Sequence, residues 1–176
     1  MGETERLLEA NEEYSRMEFP GEQLASPSRH LAILACMDAR LIVSKLLGLK
    51  AGEAHIIRNA GGIASEDAIR SLIISNELLG TNEFIVVNHT DCGMLTFTDE
   101  QLAERLATKY AQSEEASRIK FHSFTNLEDN VREQVSKIKE HPLIPKSIRV
   151  SGFIYEVETG KLRSVVYEPK PSSSRG

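Results

Sequence analysis

The sequence contains no tryptophan, and aromatic residues make up only 6% of its 176 positions. That leaves little material for an aromatic stacking platform. It also lacks a basic cluster: 21 Lys+Arg stand against 26 Asp+Glu, a formal net charge of −5. An acidic balance of this kind argues against nucleic acid or an anionic membrane surface as the main partner. No apolar run approaches the roughly 18 residues of a membrane span. The opening stretch MGETERLLEANEEY carries too much charge for a secretory signal, so a cytoplasmic protein is expected. Cysteine is scarce as well. Two residues are too few for a disulfide scaffold, and two thiols in such a chain need another explanation.

What remains is ordinary globular material, with 40% hydrophobic and 27% charged residues. The length suits one domain over 1–176. Glu3–Met17 reads as a charged helix with few apolar positions, part of an N-terminal arm over 1–20 that has little to bury on its own domain. His30–Cys36 is a short, almost wholly apolar run, the pattern of a strand covered on both faces. Ala39–Leu49 reads as a helix. Ala54–Asn59 is a second strand, followed by Ala60-Gly61-Gly62. Ser65 caps a helix that Gly80 stops, and Glu83–Val87 is a third buried strand. Thr98 and Gln101 form a capping-box pattern for a helix reaching about Ala111. The stretch 112–126 reads as a polar surface excursion. Val131, Val135 and Ile138 mark another amphipathic helix, and Arg149–Val157 with Lys161–Tyr167 form a hairpin. The Pro/Ser-rich tail at 168–176 is expected to fray. Strand–helix alternation predicts an α/β fold with a mainly parallel central β-sheet flanked by helices.

In such folds ligands gather outside the carboxyl ends of the strands. Cys36 closes the first strand, and His89-Thr90-Asp91-Cys92 begins as the third one ends, so two thiols and one imidazole converge on one crevice. Soft thiolates with a nitrogen donor favour Zn²⁺, and three protein ligands leave a fourth position for water. Plainer readings fit the same residues: Cys36 as a small core residue, or a Cys36–Cys92 disulfide. Asp38 and Arg40 follow the first thiol by two and four positions. Asp38 has two open roles, as a fourth metal ligand or as an acceptor oriented by Arg40.

Together, Cys36-x-Asp38-x-Arg40 and His89-x-x-Cys92-Gly93 resemble the signature of the β-class carbonic anhydrases. Arg58-Asn59-Ala60-Gly61-Gly62 is similar to that family's turn after the second strand. The resemblance runs from about Arg29 to Thr98 and resumes weakly from His141 to Lys161. It implies a zinc enzyme in which zinc-bound hydroxide attacks a small linear heterocumulene. The metal ligands would be Cys36, His89 and Cys92, with Asp38 and Arg40 as a catalytic dyad. It also implies a homodimer, or a dimer of dimers, with the N-terminal helix packed across the partner. Cys36–Leu41, Gly52–Arg58 and Cys92–Asp99 are similar to the compact subgroup, which includes carbonic anhydrases and carbonyl sulfide hydrolases. The expected activity is therefore CO₂ hydration, with COS hydrolysis as the alternative and a non-catalytic zinc module a more distant third. Asn88 departs from the commonest pattern, in which Gly or His precedes the zinc histidine. Met37, Leu41, Ile63, Met94 and Leu95 are the candidate pocket residues. His55 reads as structural, and His30, His122 and His141 have no motif around them.

Overall fold

The computed structural model describes residues 2–22, 24–167 and 169. Among the described residues, five strands form one sheet in the order β2-β1-β3-β4-β5: β1 is Leu31–Cys36, β2 Ala54–Asn59, β3 Glu83–His89, β4 Arg149–Glu156 and β5 Lys161–Val166. Strands β1 to β4 pair in parallel, and β5 turns back antiparallel along β4. The expected α/β class and mainly parallel sheet are therefore present.

The run LAILAC in β1 is buried at every position because β1 lies inside the sheet and both its faces are covered. Its side chains alternate. Ala32 and Leu34 join a core with Leu72, Phe84, Val135 and Ile138. Ile33 and Ala35 join a second core with Leu41, Val43, Val87 and Met94. This period of two divides the molecule into two layers about the sheet. The first core lies beneath α3 (Glu66–Glu77) and α6 (Leu127–Glu140). Gly152 on β4 lies against α6, where a Cβ would come within 2.5 Å of Val131 Cγ1 and 2.9 Å of Val135 Cγ2. Only the residue without a side chain lets these two helical valines reach the sheet.

The helix starts follow their local chemistry. Ser65 accepts a hydrogen bond from Ala68 N–H, and Asn126 accepts one from Asp129 N–H. Thr98 and Gln101 make the reciprocal capping box at the head of α4 (Asp99–Tyr110). Two expectations need correction. The segment 39–49 is not a continuous helix: only α2 (Val43–Leu46) is helical. Asp38 Oδ1 accepts from Arg40 N–H and Asp38 C=O accepts from Leu41 N–H, so a turn takes the groups a helix would have used. The excursion at 112–126 contains a short helix, α5 (Ser113–Arg118), and its later part is tied to Asp99. The first helix, α1 (Glu3–Met17), buries none of its residues. The expected fraying of 168–176 falls, Pro169 apart, outside the described residues.

Candidate metal centre

Cys36 ends β1 and His89 ends β3, and the two strands are adjacent and parallel, so both side chains emerge at the same edge of the sheet. The chain then turns back through Asp91, whose φ of 55° is left-handed. Thr90 N–H donates to Tyr155 C=O, and Thr90 Oγ1 accepts from Val157 N–H, which pins this turn to the end of β4. Cys92 is thereby brought back to Cys36. One donor atom each from Cys36, His89 and Cys92 lies within 4.8 Å of the others, and all three residues are buried. Both cysteines are free, so the disulfide reading does not hold.

The histidine is prepared as a ligand. Nδ1 lies 2.8 Å from Thr90 C=O, which places the proton on that nitrogen. Nε2 is left buried with no hydrogen-bond partner, a costly condition for a polar atom unless it binds something. The protonation balance of the cluster points the same way. Cys36 is drawn toward the thiolate, chiefly by a hydrogen bond from Cys92 and against the effect of burial; Cys92, holding the shared proton, is pushed up correspondingly. Burial opposes protonation of His89, but the Cys36 sulfur, Thr90 C=O and Asp38 outweigh it and raise its pKa. The cluster attracts positive charge, and two soft sulfurs with one imidazole nitrogen suit a borderline-soft divalent cation.

Asp38 stands outside this cluster. Its Oδ1 accepts from Arg40 Nε at 2.9 Å and its Oδ2 from Arg40 Nη2 at 2.8 Å, a two-pronged contact. Oδ2 lies 3.7 Å from His89 Nε2. The Arg40 hydrogen bonds hold the Asp38 carboxyl well below the usual carboxylate range, so it is ionised and can only accept. Arg40 also reaches Asp91, with Nη1 on Oδ2 at 2.7 Å and Nη2 on the carbonyl at 3.0 Å. It thus ties the loop after β1 to the loop after β3. Arg58 supports the first loop from β2, donating to Cys36 C=O at 3.0 Å and to Asp38 C=O at 2.6 Å.

These residues open onto a cavity of about 340 Å³, walled by Met37, Ala60, Gly61, Met94 and Phe97 beside the cluster. Of the expected pocket residues, Met37 and Met94 line it. Leu41 and Ile63 do not; both are buried in the hydrophobic packing behind it. Leu95 packs against the same core and is also absent from the wall. A larger hollow of about 610 Å³ lies elsewhere, between α3 and the end of α6, with no donor cluster among its described residues. His55 bonds Ser75 Oγ and Ala25 C=O, a structural role as expected. Phe97 and Asp91 were missed by the motif reading. Their signal was weak: Asp91 sits between two candidate ligands and Phe97 lies inside the 92–99 stretch that carries the resemblance, but nothing local marks Asp91 as a partner of Arg40 or Phe97 as a wall residue.

The fold and this cluster define an α/β domain with a donor group that could hold a metal ion, beside a small, largely apolar chamber at the carboxyl edge of its sheet. Residues 31–162 match the family described as carbonic anhydrase. Beta-carbonic anhydrase 1 of Mycobacterium tuberculosis (strain H37Rv) is 44% identical over 164 residues, 92% of this chain and 97% of that protein. A carbon disulfide hydrolase of an Acidianus species is 40% identical over 157 residues, 77% of each chain. The crystal structure of carbonic anhydrase from Streptococcus mutans superposes with a TM-score of 0.88 at 42% identity, covering 94% of this chain and 98% of that one. The chain belongs to the β-carbonic anhydrase family, a family of enzymes.

Proposed function

We propose that this protein is a zinc enzyme that hydrates CO₂ to bicarbonate, with Cys36, His89 and Cys92 as the metal ligands and Asp38 and Arg40 as the catalytic dyad. The observation that carries the proposal is the buried Cys–His–Cys cluster with an ionised, Arg-clamped carboxylate beside it, open to an apolar cavity. A structural metal has no use for that carboxylate.

When bound, zinc supplies Lewis acidity that brings the pKa of water to about 7. The protein's own residues do the rest. Asp38, held as an acceptor by Arg40, takes a hydrogen bond from the reacting water and so aims a lone pair at the substrate carbon. Arg40 keeps that carboxylate from turning away, and Asp91 keeps Arg40 in place. His89 stays in one tautomer because Thr90 C=O holds Nδ1–H. The walls suit a small linear electrophile with no charge to grip. Met37, Met94 and Phe97 offer hydrocarbon and sulfur, and the described wall carries no cation.

A second reading has its own support, because relatives 36–40% identical are carbon disulfide hydrolases. Hydrolysis of COS or CS₂ would use the same residues, since attack at carbon is common to all three substrates. The discriminating experiment compares kcat/KM for CO₂, COS and CS₂ on one zinc-loaded preparation. A higher value for CO₂ agrees with the proposal, and a preference for either sulfur substrate overturns it.

A dimer and a cytoplasmic setting complete the proposal. The support for the dimer is α1: fifteen residues with none buried, and with Leu7 and Leu8 more than 60% exposed. An isolated helix of that length is marginal in water. Packing across a second copy gives it the apolar partner its own domain does not provide.

A further inference from the structure

Asn88 immediately precedes His89 on β3, and its side chain runs away from the metal cluster into a line of amides. Asn130 and Gln134, one turn apart on α6, complete that line. The three side chains belong to residues 1%, 4% and 1% exposed. The hydrogen bonds run in one direction. Ala64 N–H donates to Gln134 Oε1 at 2.9 Å, Gln134 Nε2 to Asn130 Oδ1 at 2.8 Å, Asn130 Nδ2 to Asn88 Oδ1 at 2.9 Å, and Asn88 Nδ2 to Gly61 C=O at 2.5 Å. Every amide accepts from one neighbour and donates to the next. The line leaves the 61–64 turn at Ala64 and returns to it at Gly61.

Docking α6 on the sheet does not require this. Val131, Val135 and Ile138 make that contact with hydrocarbon alone. Three buried amides are expensive unless each is satisfied, and a mismatch in one is felt by the next. What they hold is the turn that walls the chamber. Gly61 faces the cavity, and a Cβ on it would come within 3.1 Å of Met94 Cγ. At Gly62 φ is a left-handed 62°, and a Cβ there would lie 2.8 Å from Asn88 Nδ2, which leaves no room for a side chain. Asn59 fastens the same turn from the other side, with Oδ1 on Ile63 N–H and Nδ2 on Ile63 C=O.

The geometry points to Asn88, Asn130 and Gln134 as positioning residues that fix the Gly61 wall of the cavity and thereby set its preference between CO₂ and bulkier sulfur-containing analogues. The substrate part of this assignment rests on the reaction proposed above. Polarity carries the effect. In Asn130→Asp the shape is kept, but an acceptor faces Asn88 Oδ1. Asn88 must then rotate and present oxygen to the Gly61 carbonyl, so a change on α6 is delivered to the chamber wall.

The test measures zinc content, kcat and KM for CO₂ and COS, and amide hydrogen exchange in the parent, Asn130→Asp and Gln134→Glu. Zinc content is expected to stay at the parent level. The kcat/KM for CO₂ falls about tenfold, the size of one buried polar mismatch, and that for COS falls less, so the COS/CO₂ ratio rises. Exchange at 61–64 quickens while β1 and β3 keep their protection. An equal fall for both substrates, unchanged kinetics, or exchange that rises across the whole sheet overturns the assignment. If Asn130→Asp does not fold, Gln134→Glu, one link further along, carries the same comparison. A parent protein that does not hydrate CO₂ contradicts the proposed reaction, and exchange at 61–64 then decides the positioning role by itself.

Discussion

Asp38 is held ionised chiefly by its hydrogen bonds from Arg40, against the effect of burial, and His89 in the neighbouring cluster works in the same direction as Arg40. The assigned work of Asp38 is orientation, not ligation. Asp38→Ala is therefore expected to retain zinc close to the parent level while kcat falls by about a hundredfold, the usual scale for one lost oriented polar group. Metal analysis and CO₂ hydration kinetics on the same sample check this, and full turnover in the variant removes Asp38 from the mechanism. At this scale much of the site was legible, because Cys36, Asp38 and Arg40 share five consecutive positions and His89 and Cys92 share four. Asp91 was not legible as a partner of Arg40, since that bond spans loops that only the sheet brings together. Nor was the pairing of Asn88 with Asn130, which depends on how α6 crosses β3.

Among the elements, strands and capped helices were readable, and segments held by side chains were not. The apolar run of β1 and the Thr98–Gln101 box are local signals, and both stand as expected. The 39–49 stretch has helix-forming composition, yet Asp38 competes for its first turn. The 112–126 stretch has no strong pattern, and its later part is organised from a distance by Asp99. That carboxylate accepts the N–H groups of Phe121, His122 and Ser123 and the Ser123 hydroxyl. Burial pushes its pKa up, but these donors outweigh burial and bring it to about 2 from an ordinary 3.8. A lowered pKa means stabilisation that is complete above the ordinary value and is lost as pH falls toward 2. Asp99→Asn should accordingly be less stable than the parent by about 1–3 kcal/mol near neutrality. Denaturant titrations across the acid range should show the gap closing. A gap independent of pH would mean that the carboxylate charge contributes nothing.

The whole molecule places its chemistry where two parallel strands end side by side, and the order β2-β1-β3 is what makes Cys36 and His89 neighbours. Alternating strands and helices announced that arrangement in outline. The antiparallel β5 edge and the uncovered α1 belong to the same scale, and α1 supplies its own prediction. Sedimentation equilibrium of the full chain should give at least a dimer, and a monomer would leave α1 without the partner its exposed leucines call for. The central claim is that Cys36, His89 and Cys92 hold the zinc on which CO₂ hydration depends. Its most direct test is to strip the protein with a chelator and follow the CO₂ hydration rate while zinc is returned. The rate is predicted to rise from background and level off at about one zinc per chain. Full activity in the stripped protein, or zinc bound at that ratio with no hydration, would contradict the account.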